Sequence, residues 1–440
     1  MHNSSRTKPG TPAALAEDSL AYALLTAAQL VADVVAGGTL TEALGKLWIA
    51  RPATPPGVRG AILDLAYGTL RDYGRQDFIL AKLLQKPLQE PVQSLLRVAL
   101  HRLAARPDTA HTTVDQAVSA AATVLGGNFK GVANGVLRNA LRQTTELNKA
   151  ADADMVSEFR HPAWWIRRLR NQYPDNWRSI LVAGNTHPPM ALRINPLRAT
   201  RNETLESFAE AELPVRVLTN GALLLERPVP VARIPGFAEG CVSVQDAGAQ
   251  YAALHLDLAD GQRVLDACSA PGGKTAHILE SADVMLTALD TDPARARRVS
   301  ENLDRLGLQA TVKAADCRDI NRWWNGRPFD RILADVPCSA SGVVRRNPDI
   351  KWLRRSDDIS RFAAQQKEIL EALWQVLAPG GKMLYVTCSV FAEENREQIA
   401  GFAARHPDCR CLPIADQPDC QYLPCADHDG FFYSLLEKAP

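Results

Sequence analysis

The segment VLDACSAPGGKT at residues 264–275 joins a short apolar run to a glycine-rich turn. Short apolar runs that alternate with helical segments are typical of buried parallel strands, whose connecting helices cover both faces of the sheet. The run Val264–Ala267 therefore predicts a strand, and the residues from Gly273 onward predict the helix that follows it. Ligands of such sheets bind at the carboxyl ends of the strands, which is where this turn lies.

The same alternation continues towards the C-terminus of the chain. Further apolar runs lie at Val284–Leu289, Thr311–Ala315, Arg331–Ala334 and Lys382–Thr387. Helical segments separate most of them, at Gly273–Glu280, Pro293–Leu306, Ile359–Leu377 and Asn395–Arg405. Residues 236–440 are therefore predicted to form a doubly wound α/β sheet.

The residues before 236 follow two other patterns. Apolar residues spaced three and four apart recur through residues 1–148 and predict an all-helical domain of about six helices; one such stripe is Val92, Leu95, Leu96, Ala99 and Leu103. Residues 149–235 mix helical segments with short apolar runs, which predicts a small α+β module.

The composition excludes several classes of protein. The chain has 50 lysines and arginines against 49 acidic residues, so any affinity for nucleic acid must come from local basic patches. Residues 1–20 lack the apolar core of a secretory signal, and polar side chains interrupt Leu20–Val35, so no membrane span is expected. Nine cysteines without an export signal indicate reduced thiols and a cytoplasmic location.

The glycine-rich turn does not match the common phosphate-binding patterns. A P-loop needs a glycine where Cys268 stands, and the G-x-G-x-x-G fingerprint is absent. The turn would still present backbone N–H groups at a helix start, which suits a carboxylate as well as a phosphate. The residues alone leave two interpretations, a structural tight turn or a ligand-binding loop.

Acidic residues follow the next two predicted strands. Asp290 can accept hydrogen bonds from both hydroxyls of a ribose, whereas Asp292, directly before Pro293, fits the N-cap of a helix. Asp316 is a third carboxylate on the same edge of the sheet. We therefore assign Asp290 to a ligand and Asp292 to the cap.

Two cysteines stand just past buried strands, Cys338 after Asp335-Val336-Pro337 and Cys388 after Thr387. Both would face the same crevice of a doubly wound sheet. They could be catalytic thiols, a redox pair or core residues. Their equivalent positions favour function, because a thiolate is an intrinsically strong nucleophile.

Three segments of this half of the chain closely resemble motifs of the NOL1/NOP2/Sun family of RNA (cytosine-5)-methyltransferases: Asp266–Thr275, Asp335–Ser339 and Thr387–Ser389. The hallmark of that family is two active-site cysteines, one after a proline and one after a threonine. Residues 129–139 resemble the NusB-type RNA-binding domain that the bacterial Sun/Fmu-type branch carries. With residues 345–355 and 429–433, the resemblance covers essentially the whole chain.

The resemblance implies a Rossmann-like domain that uses S-adenosyl-L-methionine to methylate C5 of a cytosine in 16S rRNA, cytosine 967 of that RNA. It implies that Cys388 attacks C6, that Cys338 takes part in release, and that Asp335 hydrogen-bonds or protonates N3. The methionine moiety of the cofactor would be held by Cys268, Ser269, Ala270, Pro271, Gly272, Gly273 and Lys274. Asp290 would bind the ribose, Asp316 the adenine side, and Asp335 would line the same pocket. Ser269 stands where alanine is more common in the family.

Two basic segments are candidates for contact with RNA. The first holds Arg345, Arg346, Lys351, Arg354 and Arg355. The second is His161–Arg170, in which His161, Arg167, Arg168 and Arg170 lie close in the chain to Trp164 and Trp165. Either segment could instead be a solvated helix face.

The expected partner is 16S rRNA, naked or early in assembly, and the expected oligomeric state is a monomer. Two rival functions are a tRNA cytosine-5 methyltransferase and a ribosome-assembly factor that binds RNA without catalysis. No metal is expected, because the C-x-C and C-x4-C spacings near the C-terminus, at Cys409, Cys411, Cys420 and Cys425, match no usual zinc pattern.

Overall fold

The computed structural model describes residues 15–127, 129–415, 417 and 419–440, which form two compact units. Unit 1 holds the described residues up to Arg167 together with Asn347–Arg354, and unit 2 holds Arg168–Arg346 and Arg355–Pro440. The expectation of no secretory signal concerns residues 1–20 and falls largely on residues 1–14, outside the described ranges. No helix within those ranges is both long and apolar enough to cross a bilayer.

Unit 1 is helical, as predicted, although its described residues form more helices than the six or so expected. Its helices in chain order are α1 (Leu20–Val35), α2 (Leu40–Ala50), α3 (Pro56–Arg71), α4 (Tyr73–Leu83), α5 (Glu90–Ala105), α6 (Ala110–Ala121), α7 (Lys130–Arg142), α8 (Thr144–Asp152), α9 (Met155–Phe159) and the start of α10 (Ala163–Gln172). The apolar stripe of α5 is buried, and α1 packs against α3, α5 and α6. The i, i+3, i+4 spacing of α5 therefore marks its core-facing side.

The small α+β module begins unit 2 and contains α11 (Trp177–Ala183), β1 (Met190–Ile194), α12 (Arg201–Glu210), β2 (Val215–Val217), β3 (Leu223–Leu225) and β4 (Val242–Val244). Its antiparallel sheet has the order β2-β3-β1-β4. A capping box between Thr200 and Glu203 starts α12. The predicted small α+β module is thus confirmed, but its sheet extends to Val244, beyond residue 235, and residues 149–167 belong to unit 1.

The doubly wound sheet is also confirmed. Its elements are α13 (Ala247–His255), β5 (Arg263–Asp266), α14 (Gly273–Ser281), β6 (Met285–Asp290), α15 (Pro293–Leu306), β7 (Thr311–Ala314), α16 (Ile320–Trp323), β8 (Phe329–Asp335), α17 (Ile350–Leu353, in unit 1), α18 (Asp358–Val376), β9 (Leu377–Thr387), α19 (Arg396–Arg405), β10 (Cys409–Leu412), β11 (Cys420–Tyr422) and β12 (Phe431–Lys438). Three-residue 3-10 helices lie at Pro107–Thr109, Val124–Gly126, Val231–Arg233 and Ala392–Glu394.

The strand order of this sheet indicates where a ligand would bind. Strands β7-β6-β5-β8-β9 are parallel, and β12 and then β10 extend the sheet antiparallel beyond β9. The order reverses between β5 and β8, so the crevice at the carboxyl ends of these two strands is the expected ligand site. Apolar clusters cover the sheet, one around Leu265, Ile332 and Tyr385 and another around Val264, Leu333 and Leu384.

Candidate active site

A cavity of about 240 Å³ lies at the carboxyl ends of the parallel strands. Its lining includes residues that the sequence assigned to one site although they are far apart in the chain: Cys268, Ala270, Asp290, Asp316, Asp335, Cys338 and Cys388. The fold thus brings the glycine-rich turn, the strand-end acids and both cysteines together.

The two cysteines are in contact. The Sγ atoms of Cys338 and Cys388 are 3.4 Å apart. Strands β8 and β9 pair in parallel, with Asp335 opposite Val386, so the loops that leave both strands start side by side. The hydrogen bond to Cys388 and burial raise the pKa of Cys338, which favours a proton on this sulfur.

Asp335 is held by a lysine from the glycine-rich segment. Nζ of Lys274 donates to Oδ2 of Asp335 at 2.7 Å. Burial alone would lower the pKa of Lys274, but the charge and hydrogen bond of Asp335 raise it above its ordinary value. The sequence assigned Lys274 to the methionine moiety; the structure adds this ion pair, which no local pattern could reveal.

A second carboxylate lies below the turn. Oγ1 of Thr275 donates to Asp266 at 2.7 Å, and burial raises the pKa of Asp266 to about 7. Next to it, the pKa of Cys268 is raised by a hydrogen bond with Cys317 and by burial, which favours the thiol form of Cys268. This end of the cavity is therefore less charged than its sequence suggests.

The glycine-rich turn is tight, and two of its residues, Cys268 and Ala270, line the cavity, so the two interpretations left open by its sequence are compatible. The other assigned residues of the turn are not among the lining residues: Ser269, Pro271, Gly272, Gly273 and Lys274. Both the backbone N and Oγ of Ser269 donate to the carbonyl of Leu289, at 2.8 and 2.9 Å, which ties the turn to the end of β6. Gly272 has φ +96°, and a Cβ there would lie 3.1 Å from Cα of Val299. Only glycine fits this position without strain.

The acidic residues beyond β6 and β7 have separate surroundings. Asp290 is buried and accepts hydrogen bonds from the backbone N atoms of Ala270 and Asp292, at 3.3 and 3.1 Å. Asp292 caps α15 by accepting from the N atom of Ala294 at 2.7 Å, which confirms its predicted role. A hydrogen bond from Arg318 lowers the pKa of Asp316.

The first basic segment is used largely inside the protein. Arg345 is 2% exposed and pairs with the buried Asp429, which also pairs with Arg346. Lys351, within unit 1, is 0% exposed and donates to the carbonyl of Arg71 at 2.9 Å. Arg345 and Lys351 therefore do not fit the predicted contact with RNA phosphates, because each side chain is enclosed.

The remaining cations of that segment have more open positions. Arg346 is half-buried and also pairs with Asp246 at 2.7 Å. Arg354 is half-buried, and Arg355 is exposed. Contact with RNA stays a proposal for these three residues.

The second basic segment is partly enclosed as well. His161 is 1% exposed with its ring 2.6 Å from the carbonyl of Phe159, and Trp165 is 1% exposed. Neither ring can serve as a stacking surface for a base.

In the part of the chain that the structure describes, no three His, Cys, Asp or Glu side chains are grouped as metal ligands would be.

Sequence reasoning missed two buried residues behind the cysteines, Glu394 and Asn395. They belong to a Glu-Glu-Asn run at the start of the predicted helix Asn395–Arg405, where polar residues read as an ordinary exposed helix end. Their burial depends on contacts with residues distant in the chain, so local pattern carries no signal for them.

Models of three protein families match successive parts of the chain. The NusB family matches residues 23–142, the ferredoxin-like domain of RsmF/B-like methyltransferases matches 161–232, and 16S rRNA methyltransferase RsmB/F matches 253–437. These ranges follow the order of helical, α+β and α/β regions described above.

Curated relatives match nearly the whole chain. Ribosomal RNA small subunit methyltransferase B of Vibrio cholerae is 42% identical over 91% of this chain and 94% of its own, and that of Pseudomonas putida is 44% identical over 86% and 90%. The crystal structure of PH0851 shares the fold at TM-score 0.79, with 23% identity over 96% of this chain and 99% of its own. A methyltransferase homolog from Pyrococcus horikoshii gives 0.57, with 25% identity over 64% and 97%. The chain belongs to the RsmB/F family of 16S rRNA methyltransferases.

Proposed function

We propose that this chain transfers a methyl group from S-adenosyl-L-methionine to C5 of a cytosine in cytoplasmic 16S rRNA, with cytosine 967 as the expected target. The observation that carries the proposal is the 3.4 Å contact between the sulfurs of Cys338 and Cys388 in a cavity that Asp290 also lines. The names of the curated relatives support rRNA over tRNA as the substrate.

The cavity suits the cofactor by its donor and acceptor set. Asp290 is a buried carboxylate that can accept hydrogen bonds from ribose hydroxyls, and Cys268 and Ala270 give an apolar wall beside it. Asp316 lies at the same edge and is held in place by Arg318. When bound, S-adenosyl-L-methionine supplies an electrophilic methyl group.

Covalent catalysis would overcome the low nucleophilicity of cytosine C5. C5 of cytosine is a poor nucleophile, but a thiolate added to C6 turns the ring into an enamine with electron density on C5. Cys388 is the proposed nucleophile. Asp335 would hydrogen-bond N3 of the base as N3 becomes protonated. The ion pair with Lys274 holds the Asp335 carboxylate in place.

The second thiol completes the reaction. After transfer, C5 carries both the methyl group and a proton, and this proton must leave before the Cys388–C6 bond can break. Cys338 is the proposed acceptor of that proton; its own proton must first pass to solvent, and its raised pKa makes the resulting thiolate a strong base. The 3.4 Å contact between the two sulfurs supports this role, because C5 and C6 are adjacent atoms of the ring. The base must leave its stack to be attacked, which favours single-stranded or melted RNA.

Substitution of each thiol separates the two steps. Cys388→Ala should abolish transfer of labelled methyl groups to a 16S rRNA transcript, because no covalent intermediate can form. Cys338→Ala should instead accumulate a protein–RNA adduct that survives denaturing gels. Cys411→Ala, at an exposed thiol on β10, is the matched control and should behave as the unchanged chain.

Full activity of Cys388→Ala would refute the assigned nucleophile, and absence of the adduct in Cys338→Ala would refute the release role. Assays on tRNA and on partly assembled particles test the substrate class. Binding of 16S rRNA without any transfer would favour a non-catalytic assembly factor. Bisulfite mapping of rRNA from cells with and without the gene locates the modified nucleotide.

A further inference from the structure

A buried glutamate links the two cysteine loops from behind. Glu394 ends the 3-10 helix Ala392–Glu394 and is 0% exposed. Its Oε1 atom accepts from the backbone N of Ser339 at 2.7 Å, and its Oε2 atom accepts from Oγ of Ser389 at 2.6 Å. These serines directly follow Cys338 and Cys388, so one carboxylate contacts both loops at the residue next to each thiol.

A second contact reinforces the first loop. Nε2 of Gln366, on α18, donates to Oε1 of Glu394 at 3.1 Å and to the carbonyl of Pro337 at 3.0 Å. The loop of Cys338 is therefore held on both sides of the cysteine: Ser339 contacts the Glu394 carboxylate, and Pro337 contacts Gln366.

The hydrogen-bonding pattern suits a carboxylate. Ser339 N and Gln366 Nε2 donate to Oε1, and Ser389 Oγ donates to Oε2. A glutamine at 394 would keep one acceptor oxygen but turn an NH2 group towards Oγ of Ser389, which would have to give up its donated hydrogen bond and accept instead. Burial raises the pKa of Glu394, and the hydrogen bonds from Ser339 and Ser389 oppose that shift.

The neighbouring Asn395 acts on one loop alone. Its Oδ1 atom accepts from Oγ1 of Thr387 at 2.6 Å, and its Nδ2 atom donates to the carbonyl of Ser389 at 2.9 Å. Asn395 therefore shapes the turn that carries Cys388, whereas Glu394 also reaches the loop of Cys338.

We propose that Glu394 is a positioning residue whose carboxylate holds the loops of Cys338 and Cys388 at the separation that release of the methylated base requires. The inference rests on the proposed function and deepens it. The two sulfurs must act on adjacent ring carbons, so their separation has little tolerance. Misplacement of a reacting group by about 1 Å can cost about 100-fold in rate.

The separation can be measured without RNA by closing a disulfide. A thiolate of the pair attacks dithiodipyridine and displaces one thiopyridone; the second thiolate then attacks the mixed disulfide and displaces the other. The second step reports the proximity of the two sulfurs, and mass mapping identifies the Cys338–Cys388 product. We expect Glu394→Gln to slow this second step roughly tenfold or more.

Glu393→Gln is the matched control. Glu393 carries the same side chain one residue earlier but pairs with Arg168 and Gln172 instead of the cysteine loops. It should close the disulfide at the unchanged rate. Equal closure rates in Glu394→Gln and Glu393→Gln would overturn the positioning role, whatever the activity.

The catalytic readout uses the same variants. Glu394→Gln should turn over more slowly and accumulate the denaturation-resistant RNA adduct, with an unchanged Kd for S-adenosyl-L-methionine. Turnover by Glu394→Gln at the unchanged rate would overturn the proposal. If Cys388→Ala keeps full activity, the proposed function fails, whereas the closure assay still tests whether Glu394 positions the two loops. If Glu394→Gln does not fold, Ser389→Ala takes its place in both assays, because this substitution removes the hydrogen bond to Oε2 of Glu394.

Discussion

Two aspartates, two positions apart at the end of β6, have different surroundings. Asp292 is exposed and caps the N-terminus of α15, where its side-chain oxygen accepts hydrogen bonds from backbone N atoms of the first turn. Asp290 is 4% exposed and lies on the cavity wall, 3.4 Å from Arg295. Helix capping therefore accounts for Asp292 but not for the burial of Asp290 in the cavity wall.

Substitution should separate these two roles. Asp290→Ala should weaken binding of S-adenosyl-L-methionine by about 1–3 kcal/mol, because hydrogen bonds to a charged acceptor are lost. Asp292→Ala should leave that affinity unchanged and lower the free energy of unfolding by about 1 kcal/mol, the usual cost of a lost N-cap. Titration calorimetry and urea unfolding measure the two effects. Equal losses of affinity in both variants would contradict the assignment of the ribose to Asp290.

Individual residues differ in how well the sequence predicted them. The cap at Asp292 and the pairing of Cys338 with Cys388 followed from short local patterns at strand ends. The ion pair of Lys274 with Asp335 and the burial of Glu394 did not, because each depends on contacts between loops far apart in the chain. Charged residues also read as exposed by default, and this made Arg345 and Lys351 look available to RNA.

At the scale of elements, a buried arginine joins the small module to the helix that follows the glycine-rich turn. Arg193 on β1 forms two hydrogen bonds with the Glu280 carboxylate on α14, at 2.8 and 2.7 Å. It also donates to the carbonyl of Gly273 at 2.9 Å, at the start of the same helix. Strand β1 thus contacts both ends of α14.

Loss of this arginine should be costly. Arg193→Ala leaves the Glu280 carboxylate, whose side chain is 0% exposed, without its partner, so the free energy of unfolding should fall by about 3–5 kcal/mol. Arg216, on β2 of the same sheet, forms an exposed ion pair with Asp427, so Arg216→Ala should change the free energy of unfolding little. Urea unfolding of both variants gives the comparison. A loss below about 1 kcal/mol in Arg193→Ala would show that the buried pair contributes little.

The parallel strands were predictable and the strands at the other edge were not. Strands β5, β6, β8 and β9 contain buried apolar runs, and β7 is largely exposed but follows the same alternation with helices, so pattern alone located all five. Strands β10 and β11 are short and contain cysteines and polar residues, so their sequences read as irregular. The apolar run of β12 follows no helix and was not assigned to the sheet. Helix α13 is rich in alanine and has no clear apolar stripe, so it was missed as well.

At the scale of the whole chain, the basic segment between β8 and α18 divides between the two units. Residues Asn347–Arg354 belong to unit 1, although the segments on either side of them belong to unit 2. Within unit 1, Oδ2 of Asp349 accepts from the backbone N of Leu40 at 3.0 Å, and Nε1 of Trp352 donates to the carbonyl of Leu70 at 2.8 Å. The segment is thus part of the helical fold rather than a free basic loop.

This placement gives neighbouring cations different expected effects. Arg355→Ala should weaken binding of a 16S rRNA transcript and lower the salt dependence of binding by about one charge, because Arg355 is exposed. Lys351→Ala should leave the salt dependence unchanged and lower the free energy of unfolding by about 1–3 kcal/mol, since the Arg71 carbonyl loses its buried donor. Binding at several salt concentrations and urea unfolding measure both quantities. A reduced salt dependence in Lys351→Ala without loss of stability would mean that this lysine contacts phosphate after all, and that the enclosed position seen here is not the one that meets RNA.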